Sequence, residues 1–270
     1  MKLEPHSIRE GCGFCLLRFV HATLSPPGAS IPENLGGLMD TQQELGRADM
    51  PPSIDIADDV VGQEFEIQES LSYAVLKRAF DLVVSLAAVI LLVPIIPLVA
   101  AMIKLDTAGP VLFRQDRVGR NGRIFKFYKF RSMYAGAEQK RKEIEALNEQ
   151  DGPVFKARSD PRVTNVGKFL RRSSLDEIPQ IFNVVKGEMS VVGPRPPLPS
   201  EVEHYQPWHR RRLEVTPGIT CLWQISGRSH LSFNEWMRLD MEYLKHRSFK
   251  TDLLILLKTV PAVIARKGAY

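Results

Sequence analysis

Leu82-Val83-Val84-Ser85-Leu86-Ala87-Ala88-Val89-Ile90-Leu91-Leu92-Val93-Pro94-Ile95-Ile96-Pro97-Leu98-Val99-Ala100-Ala101-Met102-Ile103 contains no charged residue, although Lys77, Arg78 and Asp81 stand before it and Lys104 and Asp106 after it. About 20 apolar residues let a helix span a bilayer, so the length permits a crossing. The flanks argue for another path. Lys77 and Arg78 precede the run, while Lys104, Arg114, Arg117, Arg120, Arg123, Lys126, Lys129 and Arg131 follow it. Cytoplasmic segments are the ones enriched in Lys and Arg, which places both ends on one side. Pro94 breaks the middle, with Pro97 just beyond, because an interior proline loses a backbone bond and clashes with the preceding turn. A helix bent at Pro94 that enters one leaflet and returns satisfies length and flanks together. A straight crossing, which would leave the later residues outside the cytoplasm, satisfies length alone, and a buried core helix is the third reading.

Upstream, residues 1–70 are rich in Gly, Pro, Ser and acids and lack sustained periodicity, so they read as a disordered extension. Three cysteines cannot complete a disulfide framework, and Cys12 and Cys15, although spaced as C-x-x-C, have no second pair at zinc-site spacing. A reducing, cytoplasmic setting fits that usage. The formal net charge of +5 points to anionic partners: phosphates, nucleic acid or an acidic membrane surface.

Downstream, Val111–Phe113 and Ile124–Phe130 read as short strands around an Asn121-Gly122 turn. On the second strand Phe125, Phe127, Lys129 and Arg131 share one face. Basic and aromatic residues interleave there, which raises nucleic acid as a ligand, but no RNA-binding signature, zinc finger or P-loop accompanies them. Lipid headgroups beside a membrane segment account for the same residues. Glu138–Gln150 is a charged helical pattern with a solvated face. His204, His209, His230 and His246 lack metal-ligand spacing, and Thr251–Ala265 is apolar but too short to span.

Ser173-Ser174-Leu175-Asp176-Glu177-Ile178-Pro179-Gln180 then opens a helix whose Ile178, Ile181, Phe182 and Val185 recur at i, i+3, i+4 and i+7, with Gly187 as its stop. Pro179 belongs in a first turn, so the helix is expected to begin near Leu175 or Asp176. Two carboxylates near a helix start suit phosphate chemistry, although Ser174 with Glu177 is equally a capping box with no function. Arg171 and Arg172 approach from the N-terminal side. Arg195, stiffened between Pro194 and Pro196, approaches from the other, fit to grip a phosphate or to be an ordinary surface arginine.

Lys77-Arg78-x-Phe80-Asp81, Phe127-Tyr128-Lys129-Phe130-Arg131-Ser132-Met133, Asp160-Pro161-Arg162-Val163-Thr164, Arg171 to Gln180 and Val192-Gly193-Pro194-Arg195-Pro196 together resemble the bacterial sugar transferase family, the monotopic phosphoglycosyl transferases, over Lys77 to Tyr270. The resemblance implies an α/β fold, mostly helical with short strands. It implies a disordered extension at 1–70, a re-entrant membrane helix at 71–105 broken at Pro94, and a phosphoglycosyl transferase domain at 106–270 on the cytoplasmic face of the bacterial inner membrane. The implied reaction moves a sugar 1-phosphate, glucose or galactose by its likeness to exopolysaccharide and capsule enzymes, from a UDP-sugar to undecaprenyl phosphate and releases UMP. Asp176 is the implied nucleophile of a covalent phosphosugar intermediate. Mg²⁺ goes to Glu177 and Asp176, and phosphate to Arg171, Arg195, Lys129 and Arg131. The implied partners are the UDP-sugar, the polyprenyl phosphate and membrane lipid, with no nucleic acid; a homo-oligomer is compatible with them. Two departures stand out. Val93 precedes Pro94 where the family commonly has Ser, and Cys221 replaces a glycine, which would put a β-carbon into the local backbone. The competing class is a membrane-anchored, non-catalytic protein that binds nucleic acid or anionic lipid through its basic surface.

Overall fold

The computed structural model describes residues 65–67, 69–226 and 231–264. The expected extension up to residue 64, with Cys12 and Cys15, and residues 227–230, with His230, and 265–270 lie outside that set. Helix α1 (Leu71–Leu92) starts at Ser70, whose hydroxyl accepts the Tyr73 N–H. After Val93-Pro94 the chain resumes as α2 (Ile95–Asp106), and the two axes bend by 62°. Pro94 occupies the N-cap of α2 and Pro97 its first turn, where a missing N–H leaves no helix bond unmade. The bend is therefore present with Val93 in the serine position. Among the described residues no single helix is long and apolar enough to cross a membrane, while the bent pair together has the length and composition. Val83, Leu86, Ile90, Leu91 and Leu98 lie exposed on this pair, an apolar patch of the kind that marks an interaction surface.

Strands β1 (Leu112–Val118) and β2 (Ile124–Phe130) form an antiparallel hairpin in register from Leu112 opposite Phe130 to Val118 opposite Ile124. Asn121 and Gly122 carry the turn at φ 55° and 78°, the left-handed region that Asn and Gly tolerate best. The first strand runs five residues beyond the expected Phe113, because its charged residues find partners: Asp116 pairs with Lys126 at 2.7 Å, and buried Arg117 donates to the Pro196 carbonyl at 3.0 Å. Phe125 and Phe127 point inward, as the alternation requires. The charged segment expected to be helical over 138–150 forms only a 3-10 turn at Lys142–Leu147. It buries no apolar stripe, and an isolated short helix is marginal without one.

Helix α3 (Asn165–Arg172) is capped by the Thr164 hydroxyl on the Gly167 N–H, and a β-carbon on Gly167 would meet the Ser132 carbonyl oxygen at 2.0 Å, so only glycine fits. A 3-10 turn at Leu175–Glu177 leads into α4 (Gln180–Lys186), which ends at Gly187 with φ 84°. Strand β3 (Ser190–Val192) is followed by α5 (Pro199–Glu203), α6 (Pro207–Arg210), β4 (Gly218–Thr220), α7 (Leu222–Ile225), α8 (Phe233–Lys245) and α9 (Phe249–Ile264). β3 and β4 pair in parallel. The chain is thus mostly helical, with two separate two-stranded ribbons rather than one continuous sheet among the described residues. Cys221 is buried in extended backbone (φ −154°, ψ 169°) that any residue adopts, so its β-carbon brings no strain.

One core joins Phe125 and Phe127 to Val184, Val192, Leu239 and Ile255. A second joins Val99 and Ile103 of α2 to Phe130, Leu170, Ile178 and Ile181. Phe182 and Val185, expected to be buried, are half exposed. The 3-10 turn sets the phase of α4, so that Gln180, Ile181, Asn183 and Val184 face inward instead. Polar groups fasten α1 to the same body. Lys77 Nζ donates to Asp252 Oδ2 at 2.8 Å and to the Val192 carbonyl at 3.0 Å, and Asp81 Oδ1 accepts from Ser190 Oγ and the Val191 N–H, both at 2.9 Å.

Candidate active site

Asp176 sits in the 3-10 turn with 5% of its surface exposed. Ser174, at φ 55°, turns the chain sharply out of α3, and its side chain makes no capping bond, so the alternative reading of Ser174 and Glu177 as a capping box is not realised. A left-handed non-glycine residue is a stored local cost, the sort that collects at functional sites. The tight turn also changes how the two carboxylates relate. On a regular helix neighbours diverge, whereas here both reach one ammonium. Lys129 Nζ lies 3.4 Å from Asp176 Oδ2 and 3.0 Å from Glu177 Oε1.

Lys129 reaches them from β2. Buried Asn183 fixes that strand against α4: its Nδ2 donates to the Lys126 carbonyl at 2.8 Å, and its Oδ1 accepts the Tyr128 N–H at 3.2 Å. The strand that carries the cation and the helix that follows the carboxylates thus move as one unit. The carboxylates are nonetheless unlike. Burial, the largest influence, pushes the Asp176 carboxyl above its ordinary range; the Lys129 charge opposes this and the Glu177 charge adds to it. At Glu177 burial acts in the same direction, but the charge and hydrogen bond of Lys129, with Arg195 behind them, outweigh it and hold the group low.

Arg171, on the last turn of α3, donates through Nε to Ser132 Oγ at 3.1 Å. Burial lowers its pKa, while Asp176 and Asp160 act to raise it. Arg195 rides on a loop gripped from three directions: Arg117 Nη1 holds the Pro196 carbonyl at 3.0 Å, Arg212 Nη2 the Arg195 carbonyl at 2.9 Å, and the Gly218 N–H the Pro194 carbonyl at 2.9 Å. Its guanidinium stands 3.5 Å from Glu201 and 5.4 Å from the centre of the Trp236 ring. Arg131 lines the same cleft, with both terminal nitrogens on the carbonyls of Thr107 and Ala108 just past the end of α2. Lys129, Arg171 and Arg195 border one cleft of about 1190 Å³ with Asp176 and Glu177, a volume sufficient for a nucleotide-sized ligand.

Two buried ion pairs, one of which sequence reasoning missed, complete the frame. Arg162 is held by Asp160 at 2.7 Å, and Arg212 by Asp240 at 2.7 Å, both pairs buried. Arg212 stands in an Arg210-Arg211-Arg212 run that reads as solvated charge, so no local signal marks its burial. Asp160 and Arg162 belong to a quoted motif, whose role is now visible as a buried strut.

Comparison with known proteins adds a further finding. A sequence model described as bacterial sugar transferase matches residues 72–266. The chain is 44% identical over 199 residues to the galactosyl transferase CpsE of Streptococcus agalactiae, covering 73% of this chain and 44% of that protein. It is 41% identical over 202 residues to the undecaprenyl-phosphate galactose phosphotransferase of Salmonella typhimurium, covering 72% and 42%. It is 40% identical over 198 residues to the exopolysaccharide production protein ExoY of Rhizobium meliloti, covering 72% and 88%. The chain therefore spans less than half the length of the first two relatives and most of the third.

Proposed function

The chain belongs to the bacterial sugar transferase family, and from that premise we propose that it transfers a hexose 1-phosphate, glucose or galactose, from a UDP-sugar to undecaprenyl phosphate in exopolysaccharide or capsule synthesis. The observation that carries the proposal is a buried carboxylate, Asp176, held at 3.4 Å from an ammonium in a cleft that Arg171 and Arg195 also line. An Asp176 oxygen attacks the β-phosphorus of the donor. A carboxylate–phosphorus bond forms as the bond from that phosphorus to the oxygen bridging to the α-phosphate breaks, and UMP leaves with that oxygen. An oxygen of the lipid phosphate then attacks the same phosphorus, the bond to Asp176 breaks, and a polyprenyl diphosphate sugar departs. Arg171, Arg195 and Lys129 supply positive charge along the diphosphate.

Asp176 and Glu177 are adjacent hard oxygen donors already converging on one cation, Lys129 Nζ. That donor set fits Mg²⁺, which is commonly bound by one or two carboxylates together with substrate phosphates. Glu177, kept ionised, is the main protein ligand in this reading. The ion when bound would neutralise diphosphate charge.

The bent apolar pair α1–α2 would enter and leave one leaflet and hold the cleft at the headgroup level of the cytoplasmic face. The half-exposed Phe169, Phe182 and Val185, which water disfavours, support that placement. The test is UMP release over a panel of UDP-hexoses with undecaprenyl phosphate and Mg²⁺. Turnover is expected with one or two donors, and Asp176→Asn should lower kcat by on the order of 10⁴-fold or more. Undiminished turnover in that variant would remove Asp176 as nucleophile.

A further inference from the structure

The cleft continues past Asp176 into a region of different chemistry. Along α1 it is lined by Val84, Ser85, Ala88 and Leu92, which follow one helix face, and along α9 by Leu256, Thr259 and Val263, which do the same. Ile178, Ile181 and Ile219 line it where it meets the carboxylate turn. The opposite faces of both helices are apolar and exposed: Val83, Leu86 and Ile90 on one, Leu253, Leu254, Leu257 and Val260 on the other. A corridor between two such helices is flanked on its outer sides by the surfaces expected to meet lipid. A nucleotide does not belong there, since its charge would lose water to walls that return no hydrogen bonds.

Ser85 is the only polar side chain among the α1 lining residues. It is 2% exposed, and its hydroxyl has no hydrogen-bond partner among the described residues. A buried hydroxyl in an apolar wall calls for an acceptor. On the facing helix the polar group is satisfied, Thr259 Oγ1 lying 2.6 Å from Thr220 Oγ1.

We propose that this corridor between α1 and α9 is the acceptor site. It takes the first isoprene units of a polyprenyl phosphate, with the phosphate toward Asp176 and the tail leaving along Leu92 toward the bend at Pro94. Ser85 then donates to an oxygen at the head of the lipid. Ser85 to Leu92 spans about 10 Å of helix, enough to hold the start of the chain and leave the remainder in the bilayer. The site rests on the transferase reading above and adds where its lipid substrate lies.

The test uses the full chain in phospholipid vesicles and a farnesyl phosphate that carries a photoreactive diazirine, with adducts mapped by residue after irradiation. Adducts are expected on Ala88, Leu92, Leu256 and Val263, reduced about tenfold by a competing excess of unlabelled undecaprenyl phosphate. Adducts confined to Val83, Leu86, Ile90 and Leu257, or undiminished by the competitor, would report bulk lipid contact and overturn the corridor. UMP release measured in the same vesicles separates the two ideas. Turnover without competed corridor labelling sinks the acceptor site alone, and failure to release UMP from any UDP-hexose sinks the transferase reading on which it rests.

Discussion

At Asp176 the opposing influences of burial and of Lys129 make a prediction about pH. In the proposed reaction a protonated Asp176 could not attack, so activity is expected to fall as pH drops through its pKa, and burial places that limb above the ordinary carboxylate range. Lys129 acts to lower this pKa. In Lys129→Met the acidic limb of kcat/KM should therefore move to higher pH, with kcat down about 10- to 100-fold; a limb that stays put would show that Lys129 does not act on Asp176. His209 gives a stability prediction of defined sign. Burial, followed by the charge of Arg212, lowers its pKa from 6.5 to about 4, and its Nδ1 accepts the Gln206 N–H at 3.1 Å. Between those pH values the unfolded chain binds a proton that the folded chain refuses. Stability present above pH 6.5 is thus lost as pH falls toward 4, by up to about 3 kcal/mol. Chemical denaturation of His209→Asn, which keeps an acceptor, should give a flatter profile over that window. Asp176, Glu177, Lys129, Arg171 and Arg195 were all legible in the sequence and come to one cleft. The engagement of Arg131 with the end of α2 was not, because charge alone does not say whether an arginine faces a ligand or a backbone.

Among the elements, α4 links the bent helix pair to the carboxylate turn. Arg78 of α1 donates through Nη1 to the Val184 carbonyl at 2.6 Å and through Nη2 to the Val185 carbonyl at 2.8 Å. Both are last-turn carbonyls, that of Val184 also accepting the Gly187 N–H at 2.9 Å, and a cation there suits the dipole. The other end of α4 follows Asp176 and Glu177 directly, so Arg78 positions the carboxylates through a rigid seven-residue helix. Arg78→Gln is expected to lower kcat roughly 10- to 100-fold through misplacement while KM for the UDP-sugar changes little. Arg78→Lys should recover part of the loss, one ammonium serving where a fork served two carbonyls. A change confined to KM, or a lysine variant no better than glutamine, would leave Arg78 as a fold contact only. The hairpin and the Gly187 stop could be read from local patterns. The buried face of α4 could be read only in part: Ile178 and Ile181 are buried as the periodicity expects, whereas Phe182 and Val185 are not, because a 3-10 turn ahead of the helix reset its phase.

For the whole molecule the open choice is between re-entry and crossing, and packing bears on it more than hydropathy does. Hydropathy alone left both paths available and the basic flanks favoured re-entry, but neither records what α2 packs against. Val99 and Ile103 of α2 are 1% and 2% exposed, set among Phe130, Leu170, Ile178 and Ile181, and Arg131 holds the carbonyls just beyond that helix. A straight crossing would pull these groups apart. Val99 and Ile103 would exchange one apolar surrounding for another, but Phe130, Leu170, Ile178 and Ile181 would be uncovered, at roughly 2 kcal/mol for each side chain left in water, and the guanidinium would lose two acceptors. Docking, and not Pro94 alone, is thus expected to hold the 62° bend. A cysteine tag after Tyr270 should resist a membrane-impermeant thiol reagent in intact cells and react once they are permeabilised. Pro94→Ala, which restores one N–H but leaves the docking surface untouched, should keep the same protection. Modification of the wild-type tag in intact cells would rule out re-entry with a cytoplasmic catalytic body. Protection of the wild type with exposure of Pro94→Ala would mean that the proline, rather than the core beneath α2, holds the bend.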